Sequence, residues 1–163
     1  MRSRTAKWFE IKIQYDKMGE EGLMITAKES YVVDALSYAE AEAQIIEEMS
    51  AYISGEFKVL DIKQPKYNEI FFSESTTADK WYKAKLEFIT MDEKTEKEKK
   101  QSVFYLVQAG TFIEAVRNID EVMGKTMIDY VIKSITESPI FDVFEHHAKV
   151  QTTEKEDAPE YEA

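Results

Sequence analysis

The sequence predicts an α+β protein in which a ββαβ unit occurs twice in tandem. Three observations lead to this prediction. Two segments that begin with tryptophan alternate between apolar and polar residues, two helical segments begin with the same capping pattern, and the matching segments follow in the same order in both halves of the chain. We therefore expect an internal duplication, with an antiparallel sheet, two helices on one side of it, and a short extra strand at the end of each copy.

The first strand of each copy is the segment that begins with tryptophan. The sequence WFEIKIQY at residues 8–15 matches WYKAKLEF at residues 81–88, with tryptophan and lysine at equal spacing. Every second residue is apolar, which is typical of a strand with one buried face. The polar segments that follow, at residues 16–22 and 91–100, are expected to be hairpin loops. The second strands, at residues 29–35 and 102–109, are rich in Val, Tyr and Phe.

Two helices are expected after these strands because the same capping pattern occurs in both copies. Ser37 and Thr111 are each followed three residues later by glutamate, at Glu40 and Glu114. In such a capping box the hydroxyl accepts a hydrogen bond from a backbone N–H of the first turn, while the glutamate side chain reaches back to the helix start. The two helices are therefore expected to begin at the same point of each copy.

Each helix is expected to pack on the sheet through one apolar stripe. Gly55 and Gly124 lie near the expected helix ends and are interpreted as stop signals. The stripe residues are Tyr38, Ala41, Ile45, Met49 and Tyr52 in the first helix, and Phe112, Ala115, Ile119, Val122 and Met123 in the second.

A third strand and a short fourth strand are expected to complete each copy. The third strands are expected at residues 57–62 and 128–135, and the short ones, at residues 67–72 and 140–144, follow Pro65 and Pro139. The first copy then covers about residues 7–73 and the second about residues 80–146, within one pseudo-twofold domain at residues 1–150. The sequence leaves open whether the copies share one sheet and whether the protein forms a homodimer.

The C-terminal residues 151–163 differ from the rest in composition. They carry five acidic side chains and one lysine, within a chain whose net charge is −11. Because this segment has no apolar periodicity, it is expected to be a disordered acidic tail. The overall charge argues against a protein that covers duplex DNA with a broad basic face, but it leaves a local basic groove possible.

Composition also limits the chemistry that the protein can perform. The chain has no cysteine and two adjacent histidines, His146 and His147, and it lacks the common phosphate-binding, hydrolase and metalloprotease motifs. Asp142 and Glu145 stand near the histidines, but adjacent side chains on an extended segment point to opposite sides, so no metal site is predicted. We expect no cofactor and no enzymatic activity.

No membrane segment is expected either. No stretch of the chain reaches the roughly 20 apolar residues that span a bilayer, and the N-terminal residues lack the apolar core of a signal peptide. A cytoplasmic location is therefore expected.

The candidate binding residues are the aromatic and lysine side chains on the polar phase of the first strands. They are Trp8, Lys12, Trp81, Lys83 and Lys85. Aromatic rings beside lysines are typical of proteins that bind single-stranded nucleic acid, because bases stack on the rings and phosphates meet the ammonium groups. The alternative interpretation is structural: each tryptophan packs over the sheet edge or between the units, and each lysine stem lies along an aromatic neighbour.

Several of these motifs carry a resemblance to a known family. The pattern W-[FY]-x-x-K, the segment VDALSYAEAEAQIIEEM and the later segments WYKAKLEFITMDEK and DVFEH resemble the family called domain of unknown function 4494, over about residues 7–146. The resemblance implies a setting in Bacteroides-group bacteria, their phages and mobile elements. It implies no mechanism and no catalytic residue.

Two functional hypotheses follow. The first is a non-enzymatic binding protein of phage or mobile-element origin that contacts single-stranded nucleic acid through the duplicated Trp/Lys strand faces. The second is an acidic protein-protein adaptor or counter-defence inhibitor that binds a basic protein partner, with the tryptophans as interface anchors. The first requires the lysines to form an uninterrupted basic strip, whereas the second expects acidic side chains around the tryptophans.

Overall fold

The computed structural model describes residues 1–146, so the expected acidic tail at residues 151–163 and His147 lie outside the described residues. The described part contains two helices and nine strands, which confirms the α+β class. In chain order the elements are β1 (Arg2–Arg4), β2 (Trp8–Met18), β3 (Met24–Asp34), α1 (Tyr38–Ser50), β4 (Phe57–Lys63), β5 (Glu69–Phe72), β6 (Lys80–Met91), β7 (Glu98–Ala109), α2 (Phe112–Met123), β8 (Asp129–Glu137) and β9 (Ile140–Phe144).

The chain divides into two compact units, and neither is a continuous stretch of sequence. The unit that contains helix α1, here called the α1 unit, consists of Lys7–Pro65 and the described residues from Ile140 onward. The α2 unit consists of Met1–Ala6 and Lys66–Pro139. Each unit has its own sheet, its own helix and its own apolar core.

The α1 unit is built on a four-stranded sheet in the order β4-β2-β3-β9. Strand β2 pairs antiparallel with β3 and with β4, and β9 pairs parallel with β3. The alternation expected in β2 is present, since Phe9, Ile11 and Ile13 are buried against the helix. They meet Tyr31 and Val33 of β3 in one core.

The α2 unit is built on a five-stranded sheet in the order β1-β5-β7-β6-β8. Strand β6 pairs antiparallel with β7 and β8, and β5 pairs parallel with β7. Tyr82, Ala84 and Leu86 of β6 are buried with Phe71 of β5 under helix α2. The sequence did not predict β1, whose three residues pair with β5 at the sheet edge.

The two short strands differ from the sequence prediction in their partners. Strand β9 follows β8 along the chain but pairs in the α1 unit, and β5 follows β4 but pairs in the α2 unit. The chain passes from one unit to the other after Ala6, after Pro65 and after Pro139. Each proline lacks the N–H needed to continue a strand ladder, so the strand before it ends there. The expectation of a wholly antiparallel sheet was therefore wrong: both sheets are mixed.

The expected capping residues begin both helices. The hydroxyl oxygens of Ser37 and Thr111 each accept a hydrogen bond from the backbone N–H three residues on, both at 3.1 Å. The glutamate of each box reaches one residue further back than expected: Leu36 N donates to Glu40 at 3.0 Å, and Gly110 N donates to Glu114 at 3.2 Å. Each box thus satisfies two backbone donors that the helix itself leaves without a partner.

The helix ends and stripes agree with the prediction in part. Gly124 is the C-cap of α2, whereas α1 ends at Ser50 and is capped by Ala51, four residues before Gly55. The stripes are narrower than expected, because Tyr38, Tyr52 and Phe112 are exposed while Ala41, Ile45, Met49, Ala115, Ile119 and Met123 are buried.

Removing the central isoleucine of either helix should weaken the fold. We expect Ile45→Ala and Ile119→Ala to lower the free energy of unfolding by about 2–5 kcal/mol each, because both side chains are fully buried. The exposed Ile46→Ala and Ile113→Ala are the matched controls, expected to cost less than about 1 kcal/mol. Denaturant titration measures all four, and equal losses in the buried and exposed variants would contradict the helix orientation.

Amide hydrogen exchange should show which unit each short strand stabilises. Phe144 of β9 packs against the α1 core and Phe71 of β5 lies in the α2 core. Phe144→Ala should therefore accelerate amide exchange in β3 and α1, and Phe71→Ala in β7 and α2. We expect losses of about 3–5 kcal/mol for fully buried Phe71 and less for half-buried Phe144. Faster exchange in β7 after Phe144→Ala, with β3 unchanged, would contradict the strand order.

Candidate nucleic-acid interface

The two tryptophans lie where the alternation predicts but are buried. Trp8 on β2 and Trp81 on β6 belong to the phase opposite the helix-facing residues, and they are 1% and 2% exposed. The Trp81 ring packs edge to face against the Phe72 ring, with centroids 5.6 Å apart. The backbone carbonyl oxygen of Trp81 accepts hydrogen bonds from Ser138 N and Oγ at 2.8 and 2.7 Å. Base stacking needs an open ring face, which neither ring offers in this arrangement.

The predicted lysines occupy the same phase and are more accessible. Lys12 on β2 and Lys85 on β6 are exposed, and Lys83 is partly buried. The structure thus brings Lys83 and Lys85 together on one strand of the α2 unit, whereas Lys12 belongs to the α1 unit. The cross-strand neighbours of Lys12 are Ser30 and Asp61, so a carboxylate interrupts any basic strip there.

An exposed aromatic ring that sequence reasoning missed lies beside Lys85. Phe104 of β7 is the cross-strand partner of Lys85, is 39% exposed, and has its ring centroid 6.0 Å from Lys85 Nζ. The signal was present in the sequence, because Phe104 falls on the polar phase of β7 between the core residues Val103 and Tyr105. An apolar ring on the open phase of a strand is a candidate contact residue.

Phe104 is held in place by a residue from the start of β5. Asn68 N donates to the carbonyl oxygen of Phe104 at 2.8 Å, and Phe104 N donates to Asn68 Oδ1 at 2.8 Å. Asn68 therefore satisfies both backbone groups of Phe104, one with its main chain and one with its side chain. The backbone that carries the ring is therefore fixed, while the side chain remains exposed.

Two further lysines lie beside Glu87 on the same face of the sheet. Lys100 Nζ and Lys133 Nζ lie 3.8 and 3.9 Å from Glu87 Oε1, so one carboxylate faces two ammonium groups. We call this surface of the α2 unit the basic face, and it consists of Lys83, Lys85, Glu87, Lys100, Phe104 and Lys133. Its local charge is positive although the net charge of the chain is −11.

The α1 unit has a different charge pattern. On its open sheet face, Lys63 Nζ lies 2.9 Å from Glu10 Oε2, and this hydrogen bond, together with the charge of Glu10, raises the pKa of Lys63. On its helix side, an open cleft of about 790 Å³ is lined by Asp16, Glu42 and Glu56 with Lys58. Acidic side chains thus outnumber basic ones at that cleft.

The residues considered for metal binding make ordinary contacts. His146 N donates to Asp34 Oδ1 at 2.6 Å, and His146 Nε2 lies 2.9 Å from Glu48 Oε1. Within residues 1–146, no three His, Cys, Asp or Glu side chains come together in a group that could hold a metal ion. In the same part of the chain, no helix is long and apolar enough to cross a membrane.

Comparison with known proteins places the chain in one family. No curated protein and no solved structure matches it. The family model described as domain of unknown function (DUF4494) matches residues 7–146 of the 163 residues, which confirms the resemblance found in the sequence. Because the match covers most of the chain, the protein belongs to the DUF4494 family.

Proposed function

We propose that the protein is a non-enzymatic binding protein and that its α2 unit binds single-stranded nucleic acid on the basic face. The observation that carries this proposal is the exposed ring of Phe104, fixed by Asn68 and lying beside Lys85. The proposal keeps Lys83 and Lys85 from the sequence prediction. It replaces the tryptophans with Phe104 as the stacking residue, because the tryptophans are buried.

The chemistry of the basic face favours a single strand over a duplex. A ring on a sheet surface stacks on a base whose face is open, and bases in a duplex are already stacked on each other. Lys85 lies beside the ring, and Lys100 and Lys133 lie near Glu87 on the same face, so these lysines can meet phosphates of a strand whose base stacks on Phe104. With one ring and few lysines, we expect weak binding that the net negative charge of the chain weakens further.

The two units also support an evolutionary proposal. Each has two antiparallel strands, a helix that begins at a capping box, a third strand on the sheet edge and a parallel short strand. We infer that one ββαβ ancestor was duplicated and that the copies then acquired different surfaces. A phage or mobile-element origin, implied by the sequence resemblance, agrees with a role in nucleic-acid metabolism.

The alternative is an adaptor that binds a basic protein partner. The acidic cleft of the α1 unit, with Asp16, Glu42 and Glu56, is the observation that favours it. This alternative does not involve Phe104, so a variant at Phe104 separates the two functions.

Replacing Phe104 should remove most of the binding to a short single-stranded oligonucleotide. We expect Phe104→Ala to weaken binding by about 5- to 150-fold, because stacking contributes about 1–3 kcal/mol per base. Phe112→Ala is the matched control, since Phe112 is exposed on helix α2 and lies outside the basic face. Fluorescence anisotropy of a labelled oligonucleotide at low salt measures both variants. Equal effects of the two, or no binding by the unaltered chain, would contradict the proposal and favour the adaptor.

Lys85→Ala should act differently from Phe104→Ala. Because a lysine that meets a phosphate releases a counterion, its removal should reduce the slope of log affinity against log salt by about 0.7 for a single strand. Phe104→Ala should leave that slope nearly unchanged. A salt slope that is insensitive to Lys85→Ala would remove this residue from the interface.

A further inference from the structure

The α1 unit contains a pocket of about 310 Å³ that the proposed nucleic-acid interface does not use. It lies beside the last turn of α1, where β2, β3 and β9 meet the helix. Its walls are mainly aromatic, and the rings belong to Tyr15, Tyr31, Tyr52, Phe141 and Phe144. This volume is at the small end of the roughly 300–1,000 Å³ found for small-molecule pockets.

The rings form a wall with a buried part and an open part. Phe144 stacks on Tyr31 with ring centroids 5.6 Å apart and 16° between planes, and Phe141 is tilted against Tyr31 at 5.7 Å. Tyr31 is buried, whereas Phe141 and Tyr52 are 64% and 73% exposed. The exposed rings can therefore close around a group that enters from solvent.

One carboxylate is fixed at the base of this wall. Glu29, whose side chain is 12% exposed, accepts a hydrogen bond from Tyr15 Oη at 2.6 Å and another from Tyr31 Oη. The hydrogen bond to Glu29 raises the pKa of Tyr15 to about 12, and burial together with the same carboxylate raises the pKa of Tyr31. Both phenols thus remain donors at neutral pH, and the Glu29 carboxyl group accepts from both. Lys17 Nζ approaches Glu29 at 3.9 Å from the exposed surface.

A second carboxylate lines the same pocket without a cation beside it. Asp142 Oδ1 accepts a hydrogen bond from Val143 N at 2.8 Å, and no ion pair joins Asp142 to a cation among the described residues. Partial desolvation of its carboxyl group, reinforced by the negative charge of Glu48, raises the pKa of Asp142, while the Val143 N–H opposes this shift. A cation in the pocket would supply the missing counter-charge.

The α2 unit shows that the fold does not require Tyr15, Glu29 or Tyr52. Three positions of the α1 unit can be matched by their spacing from landmark residues. Phe88 matches Tyr15, since each is seven residues after a tryptophan, and Val103 matches Glu29, since each is two residues before a core tyrosine. Thr126 matches Tyr52, since each is three residues after the last buried methionine of the helix. The α2 unit packs a complete core with Phe88 and Val103. Tyr15, Tyr52 and Glu29 are therefore particular to the α1 unit, whereas Tyr31 and Asp142 correspond to Tyr105 and Glu69 of the α2 unit.

We propose that this pocket binds an alkylated organic ammonium group, held by the aromatic rings and by the charges of Glu29 and Asp142. Ring faces attract a cation, and this attraction is the usual basis for recognition of quaternary ammonium groups. An alkylated ammonium suits the pocket better than a bare one, because the rings can contact its alkyl groups, whereas the carboxylate of Glu29 already accepts hydrogen bonds from Tyr15 and Tyr31. The ammonium group belongs either to a free small molecule or to a methylated lysine side chain.

The test compares choline with its neutral isostere, in which carbon replaces the nitrogen, on the full chain. Amide chemical shifts should show choline binding at Ile53 and Phe141, with the isostere at least tenfold weaker. Glu29→Gln, Asp142→Asn and Tyr52→Ala should each weaken choline binding several-fold. The matched control is Glu69→Gln, since Glu69 stands two residues before Phe71 in the α2 unit, as Asp142 stands before Phe144.

A blocked trimethyllysine, acetylated and amidated at its ends, distinguishes the two sources of the ammonium group. Tighter binding of trimethyllysine than of choline assigns the site to a protein side chain, and the reverse order assigns it to a free ligand. The proposal is overturned if neither cation binds at millimolar concentration or if the neutral isostere binds as well as choline. It is also overturned if Asp142→Asn and Tyr52→Ala, which alter exposed residues, both leave choline binding unchanged.

Discussion

Parallel pairing of a short strand with a long one is the interaction on which both units depend. Strand β9 pairs with β3 and β5 pairs with β7, although along the chain β9 follows β8 of the α2 unit and β5 follows β4 of the α1 unit. The pairing supplies backbone partners to the long strand and brings an aromatic side chain, Phe144 or Phe71, into the core. Both candidate sites depend on a short strand. Strand β9 places Phe141 and Asp142 in the pocket, and Asn68, just before β5, holds the backbone of Phe104.

Local patterns in the sequence were sufficient to predict the elements and the helix-facing core. Alternation in β2 and β6 identified the buried face, and the capping residues Ser37 and Thr111 began both helices as expected. Local patterns could not predict the partners of the short strands, because a mainly apolar strand of four or five residues fits the edge of any sheet with a complementary face. The three residues of β1, Arg2–Arg4, were missed because they include no apolar residue that would indicate a strand.

The candidate site could be predicted only in part, because alternation assigns a side chain to a face but not its exposure. Trp81 and Lys85 share one face of β6, yet the end of the face near Trp81 is buried and the end near Lys85 is open. The sequence placed Phe104 on the polar phase of β7, but only the register shows that it lies opposite Lys85. Pairs that depend on register, such as Glu29 with Tyr15, likewise require the pairing of β2 with β3 to be known.

The two units have similar strand and helix orders but different surface chemistry. Strand β5 supports the basic face of the α2 unit, and β9 supports the aromatic pocket of the α1 unit. The most direct test is a nuclear Overhauser measurement of backbone proton contacts in the intact chain. The account predicts contacts of Val143 with Val32 and of Ile70 with Leu106, since these are cross-strand partners in the parallel pairs. Backbone contacts of Val143 with Leu106, and of Ile70 with Val32, would instead show that each short strand pairs in the sheet of the strand that precedes it, and would contradict this strand order.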